Sequence, residues 1–492
     1  NNISGGFIMD KKDSKILSFR PSQFVALVPF VIFIIITISL SFMKAADLNM
    51  MIASGIIGLI IGMFFCENKE EYWNVIIEGL GSDVGMTAVL IWLVVGIYGS
   101  ILKSGKLVEG LVWLSCKLGV KGAAFTVVAF IFSAIFAVAT GTGFGTIATM
   151  GFILYPAGLL LGSNPAVLGG AILSGAAFGD NLAPVSDTTI ISATSQTYKY
   201  KEGTAEIGGV VKSRFKYVIV AGIIAAVLFW FFGGSAASTN TESAAKILTE
   251  YQNPMGLLLL IPTAVVIWMA VKGNSIFATL STGTILAIII GLAAGLFSIA
   301  DLAMIEDGAV VGAIPDGVAG MTTVSILLMV VVSMGNLLVK SGCMETTVNW
   351  LNEKVIKTPR DADIAIFLLS TIFGILIAAI NTIANICVSP FVNAIGRKND
   401  LHPYRRADIL STAVCSFPFF VPYGGCVLLL LGTMKSVSST YPFVQPLDPS
   451  SLFFTVFYSW AVWFVTLFAC ISGWGREFEG KDGERVKQPI KN

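Results

Sequence analysis

The sequence predicts an all-α polytopic membrane protein with 11–13 transmembrane segments, and two observations support this prediction. Of the 492 residues, 55% are hydrophobic and only 12% are charged, whereas soluble domains carry about 25% charged residues. Apolar stretches recur along the whole chain, many near the length of about 20 residues that a helix needs to cross a bilayer. These features exclude a soluble enzyme, a nucleic-acid-binding protein and a protein with a single membrane anchor.

Thirteen apolar segments define the expected spans and hairpin arms. They lie at about 22–43, 49–66, 84–102, 120–140, 147–162, 165–179, 213–232, 255–271, 276–299, 322–339, 364–396, 407–432 and 450–474. The stretch 364–396 has 33 residues without a charge, too many for one straight helix, so we expect a span followed by part of a hairpin. Segments 105–119 and 343–357 mix charged residues with Leu, Val and Trp, which is typical of helices along the membrane interface.

Both ends of the chain are polar and basic. Residues 1–8 precede Met9 and resemble an extension, so we leave them out of the fold prediction. Residues 10–20 and the tail after Trp474 carry clusters of Lys and Arg. Because positive charge is enriched on the cytoplasmic side, we expect a multi-pass protein of the cell membrane, in bacteria the inner one, with both termini in the cytoplasm.

Short motifs from the first half of the chain recur in the second half in the same order. GMTAV at 85–89 recurs as GMTTV at 320–324, KSG at 103–105 recurs at 340–342, ILS at 172–174 recurs at 409–411, and Pro184 recurs as Pro422. The offsets of 235, 237, 237 and 238 residues are nearly constant. This predicts an internal duplication, and duplicated transporter folds are often inverted, with the binding site where the copies meet.

The duplication divides the chain into seven parts. We predict an N-terminal tail at 1–20, scaffold spans at 21–83, a first repeat with hairpin and broken helix at 84–200, a linker with scaffold spans at 201–300, a second repeat at 301–440, a last span at 441–475 and a C-terminal tail at 476–492. The composition changes most clearly at 234–254. Sequence alone leaves the orientation of the repeats open.

Two carboxylates lie at the end of the longest uncharged stretch of the first half. Residues 122–179 carry no charge, and FGDNLAPVSDTT follows at 178–189 with Asp180 and Asp187 flanking Pro184. A carboxylate within the bilayer costs several kcal/mol unless it is paired or solvated, and therefore marks a cavity or an ion path. Pro184 cannot donate a hydrogen bond in a continuing helix, and Ser186 with the residues after it resembles the start of a new helix.

A helix broken within the membrane supplies free carbonyl oxygens and free N–H groups. Carboxylates and other oxygens suit a small hard cation such as Na⁺, while the N–H groups suit an anionic part of a substrate. We therefore predict Asp180 and Asp187 as Na⁺ ligands and expect Asp187→Asn to weaken stabilisation by Na⁺. The alternative is that Asp187 only caps a helix in an interfacial loop and that Asp180 is exposed at a helix end.

Three further polar groups are candidate parts of the same site. In GTGFGT at 141–146, Thr142 and Thr146 offer oxygens at the tip of a hairpin, although the glycines are also typical of close helix packing and the hydroxyls of back-bonding to their own helix. The second half has no matching carboxylates. Its polar candidates are Asn381, Thr382, Asn385, Ser416 and Tyr423.

The chain offers little material for other metal or cofactor chemistry. Its seven cysteines form no CxxC pair, and His402 is the only histidine. We interpret the cysteines as packing residues. The net charge of +1 gives no field that would attract a polyanion. We expect no cofactor besides Na⁺ as the coupling ion, no nucleic acid, and contacts with the lipid bilayer and, in a homodimer, with a second copy.

FGDNLAPVSDTT and the upstream GTGFGT resemble the NhaC-type Na⁺/H⁺ antiporter family, which includes malate/lactate exchangers. The resemblance covers about residues 20–475 and implies two inverted repeats, two hairpins, two broken helices and an elevator mechanism. It also implies an ion- or substrate-binding role for particular residues. These are Thr142 and Thr146 on the first hairpin, Asp180, Asn181, Ser186, Asp187, Thr188 and Thr189 on the first broken helix, and Asn381, Thr382 and Asn385 on the second hairpin.

The sequence departs from the family pattern at two positions. Phe144 stands where Trp is common and Asn181 stands where Lys is common. Without a lysine beside it, Asp180 needs Na⁺, a proton or a substrate ammonium. We therefore expect Na⁺-coupled secondary transport, with Na⁺/H⁺ antiport first and Na⁺-coupled transport of an amino acid or carboxylate second. An ion channel and an intramembrane enzyme are more remote alternatives, and we expect no enzymatic activity.

Overall fold

The computed structural model describes residues 17–43, 48–81, 83–184, 186–234, 252–272, 274, 276–306, 308–343, 356–378, 380–438, 441–444 and 447–489. These residues are mostly helical, and the strands among them form only two short hairpins. The first half contains ten α-helices. They are α1 (Val28–Phe42), α2 (Leu48–Met63), α3 (Lys69–Leu80), α4 (Asp83–Ser104), α5 (Leu107–Leu118), α6 (Ala123–Thr140), α7 (Gly143–Leu160), α8 (Pro165–Leu182), α9 (Asp187–Thr194) and α10 (Ile207–Phe232).

The second half continues with ten described α-helices and the two β-hairpins. They are α11 (Leu260–Val271), α12 (Ile276–Ala293), α13 (Ile299–Leu302), β1 (Met304–Glu306), β2 (Ala309–Val311), α14 (Ala313–Lys340), α15 (Pro359–Leu376), α16 (Asn381–Lys398), α17 (Pro403–Val414), α18 (Gly425–Ser438), α19 (Pro449–Phe453), α20 (Phe457–Ser472), β3 (Phe478–Glu479) and β4 (Arg485–Val486). Both hairpins are antiparallel, with Met304 opposite Val311 and Phe478 opposite Val486.

Many of these helices are apolar enough to cross a membrane, as expected of a polytopic membrane protein. Five helical stretches have both the length and the hydropathy: Gly85–Ser104, Gly143–Leu160, Pro165–Thr194, Ile207–Phe232 and Ala313–Lys340. Seven shorter apolar helices accompany them in the part of the chain that the structure describes. The predicted interfacial segment 105–119 forms α5, whereas most of 343–357 lies outside the described residues.

The apolar stretch 364–396 is divided between two helices, as its length predicts. Helix α15 ends at Leu376 and α16 begins at Asn381, within the uncharged run. A similar division separates α6 from α7 and α8 from α9 in the first half. The starts of α7 and α16, of α8 and α17, and of α9 and α18 are each 238 residues apart.

Helices α4 and α14 cross at two glycines. A Cβ atom added at Gly96 would collide with the carbonyl oxygen of Gly317, and one added at Gly317 would come within 2.6 Å of the carbonyl oxygen of Gly96. Small residues at such a crossing let two backbones approach closely. The core lies beside this crossing, where most residues of α7 and α8 are buried, whereas most residues of α10 are not. Exposed apolar side chains on α10 therefore form an outer surface that suits lipid.

Helix α10 connects two loops at opposite ends of the molecule. It has 26 residues and is therefore about 39 Å long at 1.5 Å per residue. At its C-terminal end, the carbonyl of Gly233 accepts from the N–H of Asn164, the N-cap of α8, at 2.8 Å. Near its start, Ser213 Oγ donates to Asp408 of α17 at 2.6 Å. The N-terminal ends of α8 and α17 thus lie near opposite ends of α10.

The C-terminal tail packs against the loop that joins α16 to α17. Glu479 is fully buried, and its carboxylate accepts from the backbone N–H groups of Lys199 and Tyr200 at 2.7–2.9 Å. Its own N–H donates to the carbonyl of Asp400 at 2.8 Å. His402 Nε2 lies 3.3 Å from the carbonyl of Gly483. The tail thereby joins loops from both halves of the chain.

We predict that acidification loosens the docked tail through His402. Burial lowers the pKa of His402 from 6.5 to about 4, and Nδ1 accepts from the N–H of Tyr404 at 3.2 Å. A proton on Nδ1 removes this acceptor, so the docked state loses stability as the pH falls from about 6.5 towards 4, where the released histidine binds a proton and the docked one does not. The protection of residues 478–486 against hydrogen exchange, relative to the intrinsic exchange rate at each pH, is expected to fall over this range.

The control for this prediction is His402→Asn, which keeps an oxygen acceptor at the N-cap of α17 but does not titrate. Its tail exchange is expected to change less with pH than that of the unmodified protein. The nearby carboxylates of Asp400, Glu477 and Glu484 are present in both proteins, so the comparison isolates the effect of His402. Equal pH dependence in the two proteins would contradict the role of His402.

Candidate functional site

The break between α8 and α9 creates the candidate site. Helix α8 ends at Leu182, Ala183 is extended with ψ of 120°, and Ser186 is extended again before α9 begins at Asp187. Pro184 lies between them, as the sequence predicts. Because the chain reverses out of the helix here, side chains from the last turn of α8 and the first turn of α9 face each other across the break.

Asp180 is the centre of this arrangement and is only 5% exposed. Its Oδ1 atom accepts from Ser186 Oγ at 2.6 Å, and its Oδ2 atom accepts from Thr188 Oγ1 at 3.3 Å. Asn381 Nδ2, from the start of α16, donates to the same Oδ2 at 3.3 Å. The carboxylate therefore joins the first broken helix to the second half of the chain, and all three donors are neutral.

Two amide oxygens beside Asp180 have no hydrogen-bond donor among the described residues. They are Asn381 Oδ1 and Asn385 Oδ1, both buried. Their amide nitrogens are engaged, since Asn385 Nδ2 donates to the carbonyl of Asn381 at 3.0 Å. Buried oxygens are normally paired. Two such oxygens near a buried carboxylate and two hydroxyls form a donor set that fits a small hard cation such as Na⁺.

The turn between α6 and α7 lies close to Asp180 at Gly143, the first residue of α7. A Cβ atom at Gly143 would lie 3.0 Å from Phe419 and 3.8 Å from the carboxyl carbon of Asp180. Thr142 caps α7 by accepting from the N–H of Gly145 at 3.2 Å, and Thr146 donates to the carbonyl of Thr142 at 2.8 Å. The structure thus brings the predicted turn to the site, while both threonine hydroxyls are used within their own helix.

The other breaks lie close to the same place. The N–H of Gly425, at the start of α18, donates to the carbonyl of Ala378 between α15 and α16 at 2.9 Å. Tyr423 OH donates to the carbonyl of Ile375 at 2.9 Å, and Ser416 Oγ donates to that of Thr412 at 2.7 Å. These two candidates satisfy backbone groups at the breaks and make no described contact with Asp180.

The structure separates Asp187 from Asp180. Asp187 is exposed, stands in the first turn of α9 and has no described hydrogen bond. Thr189 lies on the inner side, where its hydroxyl donates to the carbonyl of Asp180 at 3.4 Å. Thr382 is half-buried and makes no described contact with the carboxylate. Of the two predicted carboxylates, Asp180 is therefore the buried one, while Asp187 is exposed in the first turn of α9, directly after the N-cap residue Ser186.

Sequence reasoning missed a buried ion pair directly behind the break. Arg214 of α10 is fully buried and lies 3.6 Å from Asp408 of α17. Its guanidinium donates to the carbonyl of Asn181 at 3.0 Å, to Thr189 Oγ1 at 3.2 Å and to Ser192 Oγ at 3.0 Å. Arg214 thus donates hydrogen bonds to both parts of the broken helix, α8 and α9. A charge just inside the apolar segment 213–232 is the signal that identifies such a residue.

Asn181 connects the site to the last helix. Its Nδ2 atom donates to the carbonyl of Ala177 at 3.1 Å and to Tyr458 OH at 3.2 Å, and Ser411 Oγ donates to its Oδ1 atom at 3.5 Å. The side chain of Asn181 therefore faces α17 and α20. The buried cation near this position comes from Arg214, which contacts the backbone of Asn181.

An all-helical polytopic fold with a buried carboxylate at a broken helix is typical of a membrane transporter. The sequence model of the Na⁺/H⁺ antiporter family matches residues 15–233, a part of the chain that includes the whole of the broken helix. The Malate-2H(+)/Na(+)-lactate antiporter of Bacillus subtilis is 26% identical over 342 residues, which cover 65% of this chain and 70% of that protein.

Two further relatives carry related names. The Na(+)/H(+) antiporter NhaC of Alkalihalophilus pseudofirmus is 24% identical over 322 residues, which cover 61% of this chain and 66% of that protein. An uncharacterized Na(+)/H(+) antiporter of Haemophilus influenzae is 27% identical over 222 residues, which cover 44% of this chain and 46% of that protein. The family consists of transporters, and the predicted resemblance to NhaC-type antiporters is confirmed.

We predict that Arg214→Gln destabilises the protein strongly. It leaves Asp408 buried without its cation, which in comparable cases costs about 3–5 kcal/mol. The double variant Arg214→Gln/Asp408→Asn removes both charges and is expected to recover part of this loss. The measurement is the free energy of unfolding, or the melting temperature, of the purified protein in detergent.

The matched control is the pair of Lys340 and Glu78, whose atoms lie 3.2 Å apart and whose side chains are 20% and 57% exposed. Lys340→Gln is expected to change the stability by less than about 1 kcal/mol, because exposed ion pairs contribute little. An Arg214→Gln protein as stable as the Lys340→Gln protein would show that the buried pair does not hold the broken helix.

Proposed function

We propose that the chain is a Na⁺-coupled antiporter that exchanges Na⁺ for H⁺, and that Asp180 binds the two ions in turn. The observation that carries the proposal is the buried carboxylate with only neutral donors around it. A buried, uncompensated carboxylate is costly in a membrane protein. Either a proton or Na⁺ removes this cost, and both cannot occupy Asp180 together, which makes the exchange competitive.

The contacts of Asp180 support a proton-loaded state. Asp180, Ser186 and Thr188 form a closed ring of three oxygen–oxygen contacts at 2.6, 2.8 and 3.3 Å. Each hydroxyl can donate only one proton, so the two hydroxyls cannot supply all three hydrogen bonds. A protonated Asp180 supplies the third: Asp180 donates to Ser186, Ser186 donates to Thr188, and Thr188 donates back to Asp180.

The same atoms support a Na⁺-loaded state. Deprotonation leaves the Asp180 carboxylate beside the buried Asn381 and Asn385 oxygens, which have no donor among the described residues. Sodium would take the carboxylate, these amide oxygens and the hydroxyl oxygens of Ser186 and Thr188 as ligands. Asp187, which is exposed, would help to attract the cation to the site and would not be a ligand.

We further propose that two inverted repeats carry this site and move as an elevator. The spacing of 238 residues between paired helix starts supports a duplication. The N-terminal ends of α8 and α17 near opposite ends of α10 support an inverted arrangement. In this proposal the broken helices and hairpins move against a scaffold built around the crossing of α4 and α14, and both termini face the cytoplasm.

A second candidate is Na⁺-coupled exchange of a small organic solute. The name of the Bacillus subtilis relative includes malate and lactate, and a relative from Halobacterium salinarum, 26% identical over 167 residues, is an arginine/ornithine antiporter. Asp180 without a cationic partner would also accept a substrate ammonium. Uptake of an organic solute with Na⁺, in the absence of proton movement, would favour this candidate.

We predict that Asp180→Asn abolishes Na⁺-driven proton movement. The measurement is a pH-sensitive dye inside proteoliposomes after a Na⁺ gradient is imposed. An amide cannot alternate between a proton and Na⁺, so the signal should fall to that of empty liposomes. Asp187→Asn is the matched control and should keep transport within about threefold, as expected for a screened surface charge. Unchanged transport by Asp180→Asn would refute the proposed site.

We also predict that the loops after α5 and after α16 are labelled from opposite sides of the membrane. Lys117→Cys and Lys398→Cys, both exposed positions, would be introduced separately into a protein without its seven native cysteines. A membrane-impermeant maleimide added from outside should label only one of them in sealed vesicles, and permeabilisation should expose the other. Labelling of both from one side would contradict the inverted arrangement.

A further inference from the structure

The two recurring KSG motifs have different surroundings in the structure. Lys340, in the second motif, forms an ion pair with Glu78 of α3 at 3.2 Å. Lys103, in the first motif, is only 5% exposed, yet it belongs to none of the ion pairs among the described residues. Its one described hydrogen bond runs to the carbonyl of Ser436 at 3.5 Å. Buried charges are normally paired, but among the described residues Lys103 has no ion-pair contact like that of Lys340, and the Asp316 carboxylate acts on it only at longer range.

The neighbouring elements explain this difference. Glu78 stands near the end of α3, a helix of 12 residues. The helix before α14 in the second half, α13, has only four residues and is followed by the β1–β2 hairpin. Beside Lys103 there is accordingly a cavity of about 410 Å³. The site already described lies near the other end of α18, about 20 Å away along its 14 residues.

Polar groups line this cavity from three directions. Ser100 Oγ is fully buried and has no hydrogen-bond partner among the described residues. The N-terminus of α14, at Gly312 and Ala313, has no side-chain cap. Lys106 and Asp316 are exposed at the rim. The inner part of the cavity therefore offers an ammonium, a hydroxyl and backbone N–H groups, all of which donate hydrogen bonds to an anion.

We propose that this cavity binds a small carboxylate, whose oxygens accept hydrogen bonds from Lys103 Nζ and Ser100 Oγ. The rim limits the charge of the ligand. Asp316 lies there, and Asp301, whose carboxylate accepts from Ser298 at 2.7–2.8 Å, lies beside it. A second carboxylate on the ligand would meet these negative groups. The site therefore favours a monocarboxylate or a zwitterionic amino acid over a dicarboxylate.

The experiment is thermal unfolding of the purified full-length protein at constant Na⁺ concentration, with chloride replaced stepwise by acetate, L-lactate, glycine or succinate. Only ligands that bind the folded state raise the melting temperature. Acetate, lactate or glycine should raise it, and succinate should raise it less. A stronger response to glycine than to acetate would identify the amino-acid form of the ligand. Absence of any response in the unmodified protein would overturn the proposal.

Two variants and a matched control locate the binding. Lys103→Gln should weaken the apparent affinity by more than about tenfold, the size expected for a lost hydrogen bond to a charged group. Ser100→Ala should weaken it by about threefold to tenfold without removing a charge, so it remains informative if Lys103→Gln fails to fold. Lys340→Gln should leave it unchanged. Equal responses in the Lys103 and Lys340 variants would overturn the proposal.

Asp180→Asn separates this proposal from the ion site. The variant should lose its stabilisation by Na⁺ and keep its response to the carboxylate. Loss of the carboxylate response in Asp180→Asn, with an unchanged response in Lys103→Gln, would mean that the carboxylate binds at the broken helix and would overturn the second site. A failure of the Na⁺ response alone would leave the carboxylate site standing, because the two responses are measured independently.

Discussion

The central constraint in this protein is a buried carboxylate, Asp180, that has no ion-pair partner among the described residues. Asp180 accepts hydrogen bonds from Ser186, Thr188 and Asn381, all of them neutral. Hydrogen bonds stabilise a charge, but in a medium of low dielectric constant they do not offset its desolvation completely. In the function proposed above, a mobile cation provides the rest, and the break in the helix brings the hydroxyls of Ser186 and Thr188 to the carboxylate.

The break in turn needs support from outside the helix. An interrupted helix leaves carbonyl and N–H groups without partners, and Arg214 supplies donors to both sides of the gap. Asp408 neutralises Arg214 from another helix. The guanidinium that contacts both parts of the broken helix is thus paired with Asp408 and not with Asp180, the ion ligand in the proposed function. A lysine in place of Asn181 would combine the two functions next to Asp180, whereas here the nearby cation is already paired.

The sequence predicted the broken helix and the hairpin turns because their signals are local. Pro184, the polar run after it and the uncharged stretch before it fix the break without reference to other helices. Which carboxylate faces inward is a different matter. Asp180 and Asp187 are seven residues apart, a spacing that places two side chains on one face of a continuous helix, but the break changes the direction of the chain between them. Burial of Asp180 depends on Asn381, which lies 201 residues away, and no local pattern contains that contact.

The two halves of the chain share motifs but differ in the charged residues beside them. The differences correspond to different neighbouring residues in the structure. The second half lacks carboxylates at its own breaks, and its Asn381 instead donates a hydrogen bond to Asp180. Near the KSG motifs the asymmetry is reversed, because Lys340 forms an ion pair with Glu78, whereas Lys103 forms none among the described residues and has Asp316 only at longer range. Two buried charges without an ion-pair partner among the described residues thus lie in the first half of the chain: the Asp180 carboxylate at the break and the Lys103 ammonium at the end of α4. Because these two charges lie at separate places, they do not neutralise each other. In the two proposals above, the carboxylate binds a cation and the ammonium binds an anion.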